Sequence, residues 1–101
     1  MRIVYKRTAL FDLQRTRDYI TDTLKNKSAV QKLVTSVLHA VSLLSDHPIM
    51  GTALNSRYDV DSDIRFLVAS KQLVFYQIID DSLISVIRIL DGQQDYMSIL
   101  F

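Results

Sequence analysis

Cysteine is absent from the 101-residue chain, which removes disulfides, thiolate metal sites and thiol nucleophiles together. Glutamate is absent as well, so every acid is an aspartate. Only Gly51 and Gly92 represent glycine, and no glycine-rich phosphate loop can be built from them. No serine is set in a nucleophile elbow. No apolar run approaches the ~18 residues that a membrane-spanning helix requires, although 49% of the residues are hydrophobic. The N-terminus lacks the charged, apolar and small-residue parts of a signal peptide. These absences lead to the expectation of a cytoplasmic protein with no membrane partner, folded as a single domain over residues 1–101.

What is present is unevenly distributed. Residues 1–45 carry a net charge of +5 and residues 46–101 a net charge of −4, hidden beneath an overall +1. A basic half is compatible with phosphate or with an acidic protein partner, and equally with a solvated helical surface.

Arg2–Lys6 reads as a first strand around Ile3-Val4-Tyr5. Thr8 offers an N-cap oxygen to a helix whose face is Leu10, Leu13, Arg17, Ile20 and Leu24. Lys25-Asn26-Lys27 breaks it. Ser28-Ala29-Val30-Gln31 has the form of a capping box for a second helix. Val30, Leu33, Val37, Val41 and Leu44 form its apolar face, and Asp46-His47-Pro48 ends it. So short a link predicts an antiparallel helical hairpin. Pro48–Asp63 is irregular. Asp59, Asp61 and Asp63 alternate as in a calcium loop, but the glycine and distal glutamate of that loop are missing. No metal and no cofactor is expected.

Three strand-length runs follow: Ile64–Ala69, Leu73–Ile79 and Leu83–Leu90. Short polar turns between them predict an antiparallel meander. The expected fold is α+β: an N-terminal strand added at a sheet edge, an antiparallel helical hairpin, then a three-stranded antiparallel meander, forming a two-layer sandwich. The apolar end Ile99-Leu100-Phe101 is expected to pack.

Arg65 and Arg88 each stand inside a run that reads as strand. Simple alternation puts Ile87 and Ile89 on one face of the sheet and Arg88 with Val86 and Leu90 on the other. If Ile87 and Ile89 face the helices, Arg88 projects from an uncovered face, and Arg65 is able to join it as an anion site. The alternative is that each arginine pairs with a local acid such as Asp63, Asp91 or Asp95. Tyr76 and Tyr96 are either core residues or groups that stack on a base or donate a proton. His39 and His47 read as packed or solvated histidines, with no further ligand clustered beside them.

The strand–helix–helix–three-strand order, with Ile64-Arg65-Phe66, Val74-Phe75-Tyr76 and the stretch Val86-Ile87-Arg88-Ile89-Leu90-Asp91-Gly92, resembles the RelE/ParE superfamily of bacterial toxins. These are the toxin halves of type II toxin–antitoxin modules, also called plasmid-stabilisation proteins. The resemblance implies growth arrest, neutralisation by a cognate antitoxin, and one of two targets: DNA gyrase, or messenger RNA cut on the ribosome without a metal. By position it makes Arg65, Arg88 and Tyr96 the candidate catalytic set of a ribonuclease. Asp91 stands where many members carry His, and Gln93 where Arg is common, so positive charge beside Arg88 is reduced. That departure favours gyrase inhibition over ribosome-dependent mRNA cleavage, with an inactive interaction module of the same fold as a further alternative.

Overall fold

The computed structural model describes residues 1–101. In chain order it contains strand β1 (Arg2–Tyr5), helix α1 (Arg7–Tyr19), a π-helical turn (Ile20–Leu24), helix α2 (Lys27–Leu43), strand β2 (Thr52–Ala53), a 3-10 turn (Leu54–Ser56), strands β3 (Arg65–Ala69), β4 (Gln72–Asp80) and β5 (Leu83–Asp91), and helix α3 (Tyr96–Leu100). The five strands form one sheet in the order β1-β5-β4-β3-β2. The meander β3–β4–β5 is antiparallel, and β1 adds beside β5 in parallel. This is the expected α+β architecture, extended by β2, out of a polar, turn-rich segment, and by α3, out of an apolar C-terminal stretch too short to show a helical period. No helix is long and apolar enough to cross a membrane.

The two helices form as the link between them requires. Lys25 adopts a left-handed conformation, φ 51°, and reverses the chain. Asn26, not Ser28, caps α2: its Oδ1 accepts from the N–H of Ala29 at 3.0 Å. Asn is as good a cap as Ser, and the one nearer the turn takes the position. Leu33, Val37, Val41 and Leu44 are buried as the α2 spacing predicts. The face of α1 is different from the expected one. Ala9, Asp12 and Leu13 are buried, whereas Leu10 and Leu24 are exposed. Thr8 does not cap α1; Lys6 occupies that position without a side-chain bond. The Thr8 hydroxyl instead donates to the Ile87 carbonyl of β5 at 2.7 Å.

The main core lies between the helical hairpin and the sheet, with Val37, Leu44, Val74, Tyr76, Ile84 and Val86 at its centre. The other face of the sheet is not bare. Leu54, Ile64, Leu73, Phe75 and Leu90 form a second, smaller core there, covered by Tyr58 and Val60 of the long loop and by Tyr96, Met97 and Leu100 of α3. Leu100 packs as expected, while Ile99 and Phe101 stay exposed.

Candidate functional site

Between β4 and β5 the register changes. Phe75 faces Arg88 and Tyr76 faces Val86, so Ile87 is an extra residue on β5. Such a bulge breaks the alternation of side chains and turns the strand. Ile84, Val86 and Ile89 therefore join the helix-side core, and Ile87 and Leu90 join the second one. The simple alternation that paired Ile87 with Ile89 does not hold across the bulge.

The same bulge coincides with the end of β1 and the start of α1. Pairing of β1 with β5 stops at Tyr5 and Val86. Beyond it, α1 takes over the main-chain groups at the edge of β5. Lys6 N–H donates to the Val86 carbonyl, Thr8 Oγ1 to the Ile87 carbonyl, and Asp12 Oδ2 accepts from the buried Ile89 N–H at 3.0 Å. Asp12 also takes Arg88 as a bidentate partner, Nε to Oδ2 at 2.7 Å and Nη2 to Oδ1 at 2.8 Å. The fork geometry makes this a strong charge-assisted pair. Asp12 is 6% exposed and the Arg88 side chain 26%. The hydrogen bonds that Arg88 donates to Asp12 raise the Arg88 pKa against the opposing effect of burial, so the guanidinium stays charged. Arg88 thus does not project from an open face; it is locked onto α1.

The local acids are occupied elsewhere. Asp63 accepts from Gln77, Asp91 from the Gln93 N–H, and Asp95 from Ser98. Asp12 carries no signal of its own in a motif. It lies three residues after Ala9 and beside Leu13, on the stripe that the fold buries. An arginine within a strand and an acid on a helix's buried stripe are partners by complementarity, and that was the available clue.

Arg65 lies two strands away, opposite Tyr76 on β4. Its Nη2 donates to the carbonyls of Ile49 and Gly51 at 3.1 and 2.8 Å, and its buried Nε has no protein partner. The fully buried Tyr76 hydroxyl accepts from Gly51 N–H at 3.0 Å and donates to the Pro48 carbonyl at 2.8 Å. A Cβ on Gly51 would stand 2.6 Å from that hydroxyl and 2.7 Å from the Phe66 carbonyl, so only glycine fits. Arg65 and Tyr76 together staple the loop that follows α2 onto the sheet.

Tyr96 belongs to the second core. Its ring lies 5.5 Å from Phe75 and 6.1 Å, edge-on, from Tyr58. Its hydroxyl is hydrogen-bonded to that of Tyr58. That bond, and then burial, raise the Tyr96 pKa above its ordinary value of 10.0. Tyr96 is therefore protonated at neutral pH. Arg65, Arg88 and Tyr96 lie in three different settings, each bonded to its own protein neighbours. Shallow grooves flank the Asp12–Arg88 pair. The larger, about 540 Å³, runs between Arg15, Thr16 and Tyr19 of α1 and Asp91 at the end of β5 with Gln93 and Gln94 after it.

Residues 3–96 match the family described as ParE toxin of type II toxin–antitoxin system, parDE. The chain belongs to the ParE toxin family. A solved structure described as the chromosomal ParDE toxin–antitoxin system from P. aeruginosa has a similar fold, with a TM-score of 0.71 and 18% sequence identity, over 90% of this chain and 95% of that one. Comparison with proteins of curated function finds no match. In this ParE-family chain the guanidinium groups of both strand arginines, Arg65 and Arg88, are engaged by the protein itself.

Proposed function

We propose that this ParE-family toxin arrests growth by inhibiting DNA gyrase, acts in the cytoplasm, and is neutralised by a cognate antitoxin. One observation carries the choice of target. A metal-free ribonuclease needs cations and a proton donor gathered around one phosphate and preorganised for its transition state. Here Arg88 is neutralised by Asp12, Arg65 holds backbone carbonyls, and Tyr96 bonds Tyr58. Their present partners would have to be released before they acted together on RNA. The antitoxin reading is supported by the outer surface of the helical hairpin. Arg15, Arg17, Lys25, Lys27 and Lys32 are exposed there beside the exposed apolar Leu10, Phe11, Tyr19 and Leu24. An acidic amphipathic helix suits such a surface.

Induction of the chain in cells, with message integrity and plasmid topology read together, tests the target. Gyrase inhibition gives loss of supercoiling and DNA damage with messages intact. Codon-positioned cuts with unchanged topology contradict it and favour the ribonuclease, whose candidate set remains Arg65, Arg88 and Tyr96. In that case Arg88→Ala abolishes cleavage, through loss of about 2–4 kcal/mol of transition-state stabilisation. Unimpaired growth with both readouts unchanged points to the inactive interaction module.

A further inference from the structure

We infer that Asp12 is a built-in anion: it fills an anion cradle on β5 and thereby keeps phosphate esters out of the groove between Arg15 and Arg88. This deepens the choice of target above, because it names the residue that withholds Arg88 from a nucleic-acid phosphate. Three donors from two consecutive residues converge on the Asp12 carboxylate. Arg88 Nε and Ile89 N–H meet Oδ2 at 2.7 and 3.0 Å, and Arg88 Nη2 meets Oδ1 at 2.8 Å. All three donors belong to β5, while the acceptor is brought by α1. A guanidinium fork takes a carboxylate or a phosphate in the same geometry, with two parallel N–H···O bonds to two oxygens of one anion. A main-chain N–H beside the fork adds a third donor of the kind that phosphates accept from.

Solvent reaches the pair from two sides. One groove, about 500 Å³, is lined by Thr8, Phe11, Gln14 and Asp18, and the other is the larger groove along the end of β5. Asp12, Arg15 and Arg88 line both. Arg15 is exposed and forms no ion pair. Where the grooves meet, two cations therefore face one carboxylate. Asp18 in the first groove and Asp91 in the second are the remaining charges. A phosphate arriving beside Arg88 meets the Asp12 carboxylate at contact range, and like charges so placed oppose binding. With a neutral residue at that position, both guanidinium groups are left to the incoming anion.

A full negative charge is not the only way this fold holds a strand arginine. Arg65 is held by neutral main-chain oxygens, those of Ile49 and Gly51. Asn at position 12 keeps one oxygen for the Ile89 N–H. Its NH2 then faces the donors of the fork and turns Arg88 out toward the grooves. Asp12→Asn is thus the single change that removes the built-in anion while leaving the β5 edge an acceptor.

The test is a titration of the full chain with inorganic phosphate at constant ionic strength, followed by the NMR signals of the Ile89 amide and the Arg88 Nε–H. The unaltered chain is expected to show no saturable shift at either group, and a saturable shift there overturns the inference. Asp12→Asn is expected to bind phosphate at least about tenfold more tightly than the unaltered chain. Arg15→Gln added to it should weaken that binding, and Arg88→Met added to it should abolish it. A folded Asp12→Asn chain that ignores phosphate overturns the inference, by making Asp12 a structural partner alone. If the variant is unfolded in chloride, phosphate must restore its folded far-UV spectrum, since a ligand of the folded state stabilises it; no recovery also overturns the inference. A short single-stranded RNA in the same titration must follow the same order of variants. Messages cut in cells, with no saturable shift in the unaltered chain, would overturn gyrase as the target and leave the role of Asp12 standing.

Discussion

Two regions of this small sheet hold an arginine, and they hold it differently. Arg88 meets a buried carboxylate in fork geometry, and that carboxylate also satisfies the β5 edge at Ile89. Arg65 meets only main-chain carbonyls, at Ile49 and Gly51, and keeps a buried Nε without a partner. In the first region charge meets charge and joins a helix to a strand. In the second, a cation is stabilised by dipoles and joins a loop to a strand. The comparison teaches that a strand arginine is not by itself an anion site. Its role depends on what the neighbouring element brings to it.

The largest effect is expected at the first region. Asp12→Ala leaves Arg88 without its counter-ion and Ile89 N–H without an acceptor, and is expected to cost about 3–5 kcal/mol. Urea unfolding measures this directly. In the second region Gly51→Ala drives a methyl group into the Tyr76 hydroxyl and the Phe66 carbonyl. The expected loss is about 1–3 kcal/mol by overpacking. If it equalled the Asp12→Ala loss, the two regions would not differ as described.

The smallest effect concerns the second core, where Tyr58 and Tyr96 share a hydrogen bond. The folded Tyr96 pKa is raised above its ordinary 10.0, so above that pH the unfolded chain binds fewer protons than the folded one. Stability then falls as pH rises. It is fully present below about pH 10 and is lost as pH climbs through the folded value. Tyr5, raised by burial, acts in the same direction. Melting temperatures between about pH 8 and 11 should decline less steeply in Tyr58→Phe than in the unaltered chain. An unchanged slope would remove the tyrosine pair from the account.

Much of the fold was legible in the sequence because it follows from periodicity. The α2 face, the three meander strands and the edge position of β1 are set by repeated apolar spacing and short turns. α1 was misread because its buried stripe is made of Ala9, Asp12 and Leu13. Small and charged residues carry little weight in a hydrophobic pattern. β2 is held by its neighbour β3 and α3 by the second core, so both depend on contacts distant in sequence. The site was harder still. The bulge at Ile87 inverts the simple alternation beyond it, and nothing local to Ile87 announces it. Asp12 and Arg88 are 76 residues apart, a pairing that only the packed α1–β5 edge creates.

The claim that Arg88 serves the fold through Asp12 is tested most directly by a double-mutant cycle on unfolding free energy, with Asp12→Ala, Arg88→Met and the two combined. The account predicts strong coupling. The double variant should recover at least about 2 kcal/mol relative to the sum of the single losses, because Arg88→Met leaves a buried Asp12 unpaired and Asp12→Ala a half-buried Arg88 unpaired, and neither charge is present in the double. Losses that add to within about 0.5 kcal/mol would contradict it and would return Arg88 to the pool of groups free to grip a ligand.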